Sequence, residues 1–290
     1  MDDIKKFDVI IIGGSYAGLA AAMSLGRSLR SVLVIDSGLP CNRQTPFSHN
    51  FLTQDGARPS EISAQAKAQV SNYETVVFQS GLAVLAERSK NGFIITTEIG
   101  RKFEGKKLVF ATGIKDIMPP IEGFDACWGS TIIHCPYCHG YEFRDKHTGV
   151  FINGEKTMHL ISLINNLTDK LTVLTNGPAA LDQEARAKLQ KRNIQVIESK
   201  IKEFTHKNGE LDEVHFSDGT KLNFDVLYAS IPFQQHSDIP ENLGCMLNEH
   251  GYIQVNNLQQ TTIPGVYACG DNAGMMRSLA NAVAQGSLTG

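Results

Sequence analysis

The chain has 290 residues, 42% hydrophobic and 20% charged, with a formal net charge of −3. That is the balance of a globular protein long enough for two ordinary domains, and it excludes a disordered chain. The small net charge, with no block of like charge, gives no support for nucleic-acid or membrane binding. No window has the ~20 apolar residues of a membrane-spanning helix. The N-terminus, Met1-Asp2-Asp3-Ile4-Lys5-Lys6, lacks the apolar stretch of a signal peptide, so a cytoplasmic location is expected.

In chain order, Phe7 to Ile12 reads as a buried strand running into glycines, Leu19 to Leu29 as an Ala-rich helix, and Ser31 to Asp36 as the next strand. This β-turn-α-β unit predicts a parallel, doubly wound sheet. Ser60 to Val70 reads as a helix. Residues 78–103 alternate around Asn91-Gly92 as antiparallel strands, and Lys107 to Thr112 forms a further apolar strand closed by Gly113. Met118-Pro119-Pro120 breaks the pattern as a linker. A second βαβ series follows: strands at 150–152, 171–174 and 194–197, helices at 158–167 and 181–191. Hairpins turn at Asn208-Gly209 and Asp218-Gly219, and a strand closes the series at 226–231. Residues 232–243 read as a second crossing. The end, Gly265 to Asp271, reads as a strand with a glycine turn, and an Ala-rich helix starts at Ser278. The order implies two α/β nucleotide-binding folds, the second inserted into the first.

The first turn, Gly13-Gly14-Ser15-Tyr16-Ala17-Gly18, follows a strand and opens a helix, the context a dinucleotide site requires. Gly13 permits a tight turn and Gly18 a close helix–strand contact, while Ser15 and Ala17 are small enough for a pyrophosphate to approach the free N–H groups. Asp36, ending the second strand, is placed to bind ribose hydroxyls. Two more strand tips carry the same kind of signal: Ala111-Thr112-Gly113, and Gly270-Asp271, whose carboxylate suits the ribityl chain of a flavin. The cofactor expected is therefore FAD.

Of six cysteines, only Cys135 and Cys138 are closely spaced, in His134-Cys135-Pro136-Tyr137-Cys138-His139-Gly140. Two readings stand at this point. A Cys-x-x-Cys at a helix start suits a redox disulfide, and with its flanking histidines it also resembles half a zinc site, although no second such pair supplies the remaining ligands.

The glycine turn, the Ala-Thr-Gly tip, the Cys-x-x-Cys and the late Gly-Asp, in this order, resemble the low-molecular-weight thioredoxin reductases. The resemblance implies two Rossmann-like domains of FAD/NAD(P) type, each with three layers (ββα). The FAD-binding domain would comprise residues 1–115 and 246–290, and the inserted NAD(P)-type domain residues 116–245. It implies a homodimer, a dithiol or disulfide substrate, Cys138 as the thiol facing the flavin and Cys135 as the thiol meeting the substrate. It also places Asn42 and Asn50 beside the flavin or substrate, and Arg277 and Ser278 near the flavin pyrimidine edge. His139 stands where the family has an acid and, with His134, is a candidate proton carrier.

The second nucleotide turn departs from that family. It reads Ile152-Asn153-Gly154-Glu155-Lys156-Thr157, with Asn153 and Glu155 in place of glycines. No Lys or Arg follows in Thr175 to Ala180 to meet a 2′-phosphate. NADPH is therefore doubtful. In this, and in Pro-Tyr-Cys-His, the chain is closer to the gliotoxin- and holomycin-type dithiol oxidases, which pass electrons from thiols through FAD to molecular oxygen. The alternatives are an NADPH-driven thioredoxin reductase, a reductase fed by a protein electron donor such as ferredoxin, and a non-catalytic flavin redox sensor.

Overall fold

The computed structural model describes residues 4–290; Met1–Asp3, read above as part of a charged N-terminus, lie outside the described residues. These residues divide into two compact units. One comprises the chain up to Arg43, Phe51–Lys115 and Phe233–Gly290; the other comprises Gln44–Asn50 and Asp116–Pro232. No described helix is long and apolar enough to cross a membrane.

In the first unit, β1 (Lys5–Ile12), α1 (Tyr16–Arg27), β2 (Val32–Asp36), α2 (Pro59–Val70) and β3 (Val76–Ser80) lead into a meander of β4 (Ala83–Ser89), β5 (Gly92–Thr97) and β6 (Lys102–Phe110), and β7 (Ile114–Asp116) follows. The sheet runs β3-β2-β1-β6-β5-β4. Successive residues of an extended chain point to opposite faces. Ile10, Ile12, Leu33, Ile35, Leu108 and Phe110 accordingly enter one core, and Val9, Ile11, Val32, Val34 and Val109 enter the other with Ala21 and Ala22 of α1. Burial on both faces explains the unbroken apolar runs of β1 and β2.

The sequence split 102–112 between an antiparallel stretch and a separate strand, but β6 is one strand serving both. It pairs antiparallel with β5 and, along its length, parallel with β1. Its apolar run is interrupted because Lys106 Nζ meets Asp8 Oδ1 at 2.7 Å, Glu104 Oε1 accepts the Ser89 hydroxyl at 2.9 Å, and Ile10 lies over Gly105. Phe78 belongs not to the antiparallel set but to β3, which pairs parallel with β2.

The second unit contains α3 (Phe124–Cys127), β8 (Ile132–Ile133), α4 (Pro136–His139), β9 (Thr148–Phe151), α5 (Thr157–Ile164), β10 (Leu171–Leu174), α6 (Gln183–Lys191) and β11 (Gln195–Ile197). A meander of β12 (Ile201–Lys207), β13 (Glu210–Phe216) and β14 (Lys221–Asn223) precedes β15 (Val226–Ala229). Its main sheet runs β11-β10-β9-β15-β8 with every pairing parallel. Phe124 is fully buried at its centre, stacked on Trp128 and edge-on to Phe204. The chain then returns to the first unit as β16 (Phe233–Gln235), α7 (Ile239–Asn242), β17 (Val266–Ala268), which pairs with β6, and α8 (Leu279–Thr289). The return comes at Phe233, earlier than the boundary at 246 expected from sequence. Gln235 Nε2 donates to the carbonyls of Gly251 and Asn272, and Ile239 and Cys245 sit in the first unit's core. Each unit is a Rossmann-like α/β nucleotide-binding fold.

Candidate functional site

In the first unit the glycine turn is shaped by close contacts. Gly13 adopts φ +106°, and a Cβ there would collide with the Ala111 carbonyl. A Cβ on Gly14 would come within 2.7 Å of the Asp36 Cβ, and one on Gly18 would strike the Gly13 carbonyl. Gly14 N–H donates to Asp36 Oδ1 at 3.2 Å, so Asp36 is held against the turn. Ser15 caps α1 with extended backbone, its side chain makes no capping bond, and Ala17 is buried behind it. The helix therefore presents N–H groups and a positive dipole end with no side chain over them, which fits a pyrophosphate.

The two other strand tips lie in the same unit. Gly113 and Gly270 have φ +65° and +86°. Gly270 N–H donates to Gln285 Oε1 of α8 at 2.7 Å. Asp271 is half-buried, with Arg277 Nε 3.8 Å and Cys41 Sγ 3.9 Å from its Oδ2. Ser278 is the N-cap of α8, its hydroxyl accepting Asn281 N–H at 3.2 Å. Asn42 Nδ2 donates to Tyr16 Oη at 3.5 Å, and that hydroxyl donates to Pro59 O at 3.1 Å, a loop-holding arrangement. Asn50, in the second unit, takes a left-handed backbone at φ +58°, a conformation asparagine tolerates better than most residues.

In the second unit Cys135 and Cys138 form a disulfide, Cα–Cα 5.3 Å, with Cys135 capping the single turn of α4. The Cys138 N–H donates to Cys135 Sγ at 3.1 Å. His134 is exposed and stacked on Trp128, ring centroids 6.0 Å apart. His139 is half-buried, edge-to-face with His49 at 6.2 Å. Burial, and then the neighbouring His49, push the His139 imidazole pKa down to about 4, so it is neutral near pH 7 and takes up a proton only against that burial. The unfolded chain protonates His139 near its ordinary pKa of about 6.5, the folded chain only near 4. The stability due to neutral His139 is thus complete above the higher value and is lost as pH falls toward the lower, by up to about 3 kcal/mol. His139→Gln is expected to reduce the loss of stability between about pH 7 and 4.5, measured by urea denaturation at both.

In the second nucleotide turn the Asn153 side chain is bonded to the neighbouring loop. Asn153 Nδ2 donates to the carbonyls of Thr175 (3.3 Å) and Pro178 (3.0 Å), and its Oδ1 accepts Ala180 N–H at 2.8 Å. This side chain ties the loop after β10 onto the end of β9. The nearest following cation, Arg186, is engaged by Glu198 at 3.0 Å and by the Ala179 carbonyl at 3.0 Å.

Two groups of residues were missed in the sequence. Asn272 is fully buried and donates to Phe110 O at 2.9 Å and Thr112 Oγ1 at 3.1 Å, joining the tips of β6 and β17. His49 and Glu142, 3.7 Å apart, lie beside His139. The advance signals were their neighbours: Asn272 follows Gly270-Asp271, and His49 precedes Asn50, which the resemblance places beside the flavin or substrate.

The chain resembles known proteins over nearly all its length. It is 31% identical to thioredoxin reductase tcpT of Claviceps purpurea, across 98% of this chain and 92% of that one. Identity to thioredoxin reductase aclD of Aspergillus oryzae is 30%, across 97% and 93%. Among solved structures, an oxidoreductase from Agrobacterium tumefaciens superposes with TM-score 0.91 at 36% identity, covering 98% of this chain and 95% of that one. HlmI superposes with TM-score 0.92 at 28% identity, covering 98% and 90%. The profile of the pyridine nucleotide-disulphide oxidoreductases matches residues 7–286, and the chain belongs to that family.

Proposed function

We propose that the protein is an FAD-dependent dithiol oxidase that takes electrons from a substrate dithiol and delivers them to molecular oxygen without NADPH. Membership of the family implies FAD, and the thioredoxin reductase-like relatives imply a thiol or disulfide substrate. The observation that carries the oxidase reading is the second nucleotide turn. Asn153 occupies it with three hydrogen bonds, and Arg186 is already committed to Glu198.

FAD, when bound, supplies a two-electron carrier that oxygen can reoxidise. Gly13, Gly14, Ser15, Ala17 and Gly18 would hold its pyrophosphate, Asp36 its ribose and Asp271 its ribityl chain, with Ala111, Thr112, Gly113, Gly270, Arg277 and Ser278 completing the cradle. Asn42 and Asn50 are assigned supporting places. Cys135 exchanges with substrate. The Cys138 N–H at its sulfur favours the Cys135 thiolate, which makes Cys135 the better leaving group when the substrate disulfide closes. Cys138 is the thiol that passes the electrons on, and His139 accepts a substrate proton, with His134 at the rim. The resemblance to the low-molecular-weight reductases supports a homodimer.

The test is turnover in air. FAD-loaded protein with dithiothreitol alone is expected to form oxidised dithiothreitol and hydrogen peroxide in equal amounts. Turnover that needs added NADPH would favour the second reading, a reductase, which the names of tcpT and aclD support.

A further inference from the structure

The exchange proposed above, on which this inference rests, releases two protons per dithiol. First, one substrate thiol loses its proton, its sulfur bonds to Cys135 Sγ, the Cys135–Cys138 bond breaks, and Cys138 keeps the electron pair. Then the second substrate thiol loses its proton, the substrate S–S bond forms, and Cys135 leaves with its electron pair. The substrate is oxidised by two electrons, the cysteine pair is reduced by two as thiolates, and two protons are given up at the thiol site, to be matched by the two that oxygen takes up when it is later reduced to hydrogen peroxide. His139 cannot hold both, and its burial opposes holding even one.

We propose that His49 is the second proton-holding group of the thiol site: it takes each proton from His139 and releases it to solvent past Glu142. The His49 ring meets His139 edge-to-face at 6.2 Å, within reach of one bridging water. Its Nδ1 lies 3.7 Å from Glu142 Oε1. Exposure rises along this path, from 18% for the His49 side chain to 39% for Glu142. Tyr228 on β15 is a further titratable group here, its hydroxyl lying under Gly140. Burial and the Glu142 charge raise its pKa, so it stays a neutral phenol. His134 is stacked on Trp128, Arg144 lies over the Tyr141 ring with Nη1 donating to the Tyr141 carbonyl, and Glu142 is a carboxylate that faces His49. His49 acts through His139 and is a positioning residue for proton movement.

The test uses the FAD-loaded full chain with dithiothreitol as probe, comparing kcat and KM of wild type and His49→Gln between about pH 6 and 9. The variant is expected to lose roughly tenfold to a hundredfold in kcat near pH 7 with KM unchanged. Activity should return toward high pH, where dithiothreitol ionises unaided, and should be restored by added imidazole. A pH profile that superimposes on wild type, or a loss recovered by neither high pH nor imidazole, overturns the proposal. If His49→Gln does not fold, Glu142→Gln at the exposed end serves the same purpose. A several-fold kcat loss rescued at high pH supports the relay, and an unchanged profile removes it. Wild-type protein that does not turn over dithiothreitol would remove the oxidase reading itself. Wild-type turnover with an indifferent His49→Gln would remove only the relay.

Discussion

Cys135→Ser and Cys138→Ser are each expected to abolish dithiol turnover, a loss of at least about a thousandfold, because either change leaves the exchange without its second sulfur. The fold should survive, since the lost disulfide closes a ring across a separation of only three residues and constrains the unfolded chain little. The two variants should differ in their remaining thiol. In Cys138→Ser the backbone N–H at position 138 still reaches Cys135 Sγ, whose 3.1 Å contact favours the thiolate. Cys135 should therefore alkylate with iodoacetamide at a lower pH than Cys138 does in Cys135→Ser, and with added cystamine it should form a mixed disulfide detectable by intact mass, the other cystamine sulfur leaving as a thiol. In FAD-loaded protein, a long-wavelength absorbance band is expected for Cys135→Ser and not for Cys138→Ser. The reverse pattern would exchange the two assignments.

Gly13→Ala should cost the protein its cofactor. The new methyl would overlap the Ala111 carbonyl oxygen and come within 2.7 Å of its carbon and 3.3 Å of Thr112 N. The backbone also sits at φ +106°, outside what a side chain tolerates. Relieving the clash moves the Ala111-Thr112 tip and the first N–H groups of α1 together, so FAD affinity is expected to fall by about a hundredfold or more, roughly 3 kcal/mol. Gly154→Ala is the matched control: φ is +99°, but nothing lies within 4 Å of the added carbon. It should show only backbone strain, on the order of 1–2 kcal/mol in stability, with FAD retention unchanged. FAD released on dialysis, read by fluorescence, distinguishes the two.

What was legible in the sequence was local. The runs of β1 and β2, the turn from Gly13 to Gly18 and the Cys135–Cys138 spacing each state their structure within a few residues, because steric demand and burial act on neighbours. What was illegible depends on partners far along the chain. Lys102 to Phe110 looked broken because Lys106 and Glu104 are paired with Asp8 and Ser89. Asn272 finds its acceptors 160 and more residues away. Residues 44–50 fell within the FAD-binding domain expected from the resemblance but fold with the second unit, where Gln44 and Thr45 rest against Gly129 and His49 against His139. His139 itself was visible as a residue type, but its burial was not, and burial decides that it is neutral near pH 7. The second nucleotide turn shows both sides. Asn153 was read as bulk replacing a glycine. Its bonds to Thr175, Pro178 and Ala180, which tie the next loop to the turn, could be seen only in the fold.

The central claim is that electrons enter from a dithiol and not from a nicotinamide. Anaerobic mixing of the FAD-loaded protein with each donor in turn tests it most directly, with flavin absorbance as the readout. With Asn153 bonded across the turn and Arg186 paired with Glu198, NADPH binding would forgo charge-assisted hydrogen bonds of roughly 1.5–3 kcal/mol each, about a thousandfold in affinity if two are lost. Dithiothreitol is expected to bleach the flavin within the turnover time, while NADPH and NADH at about millimolar concentration should leave it oxidised. Rapid bleaching by NADPH at about micromolar concentration would contradict it.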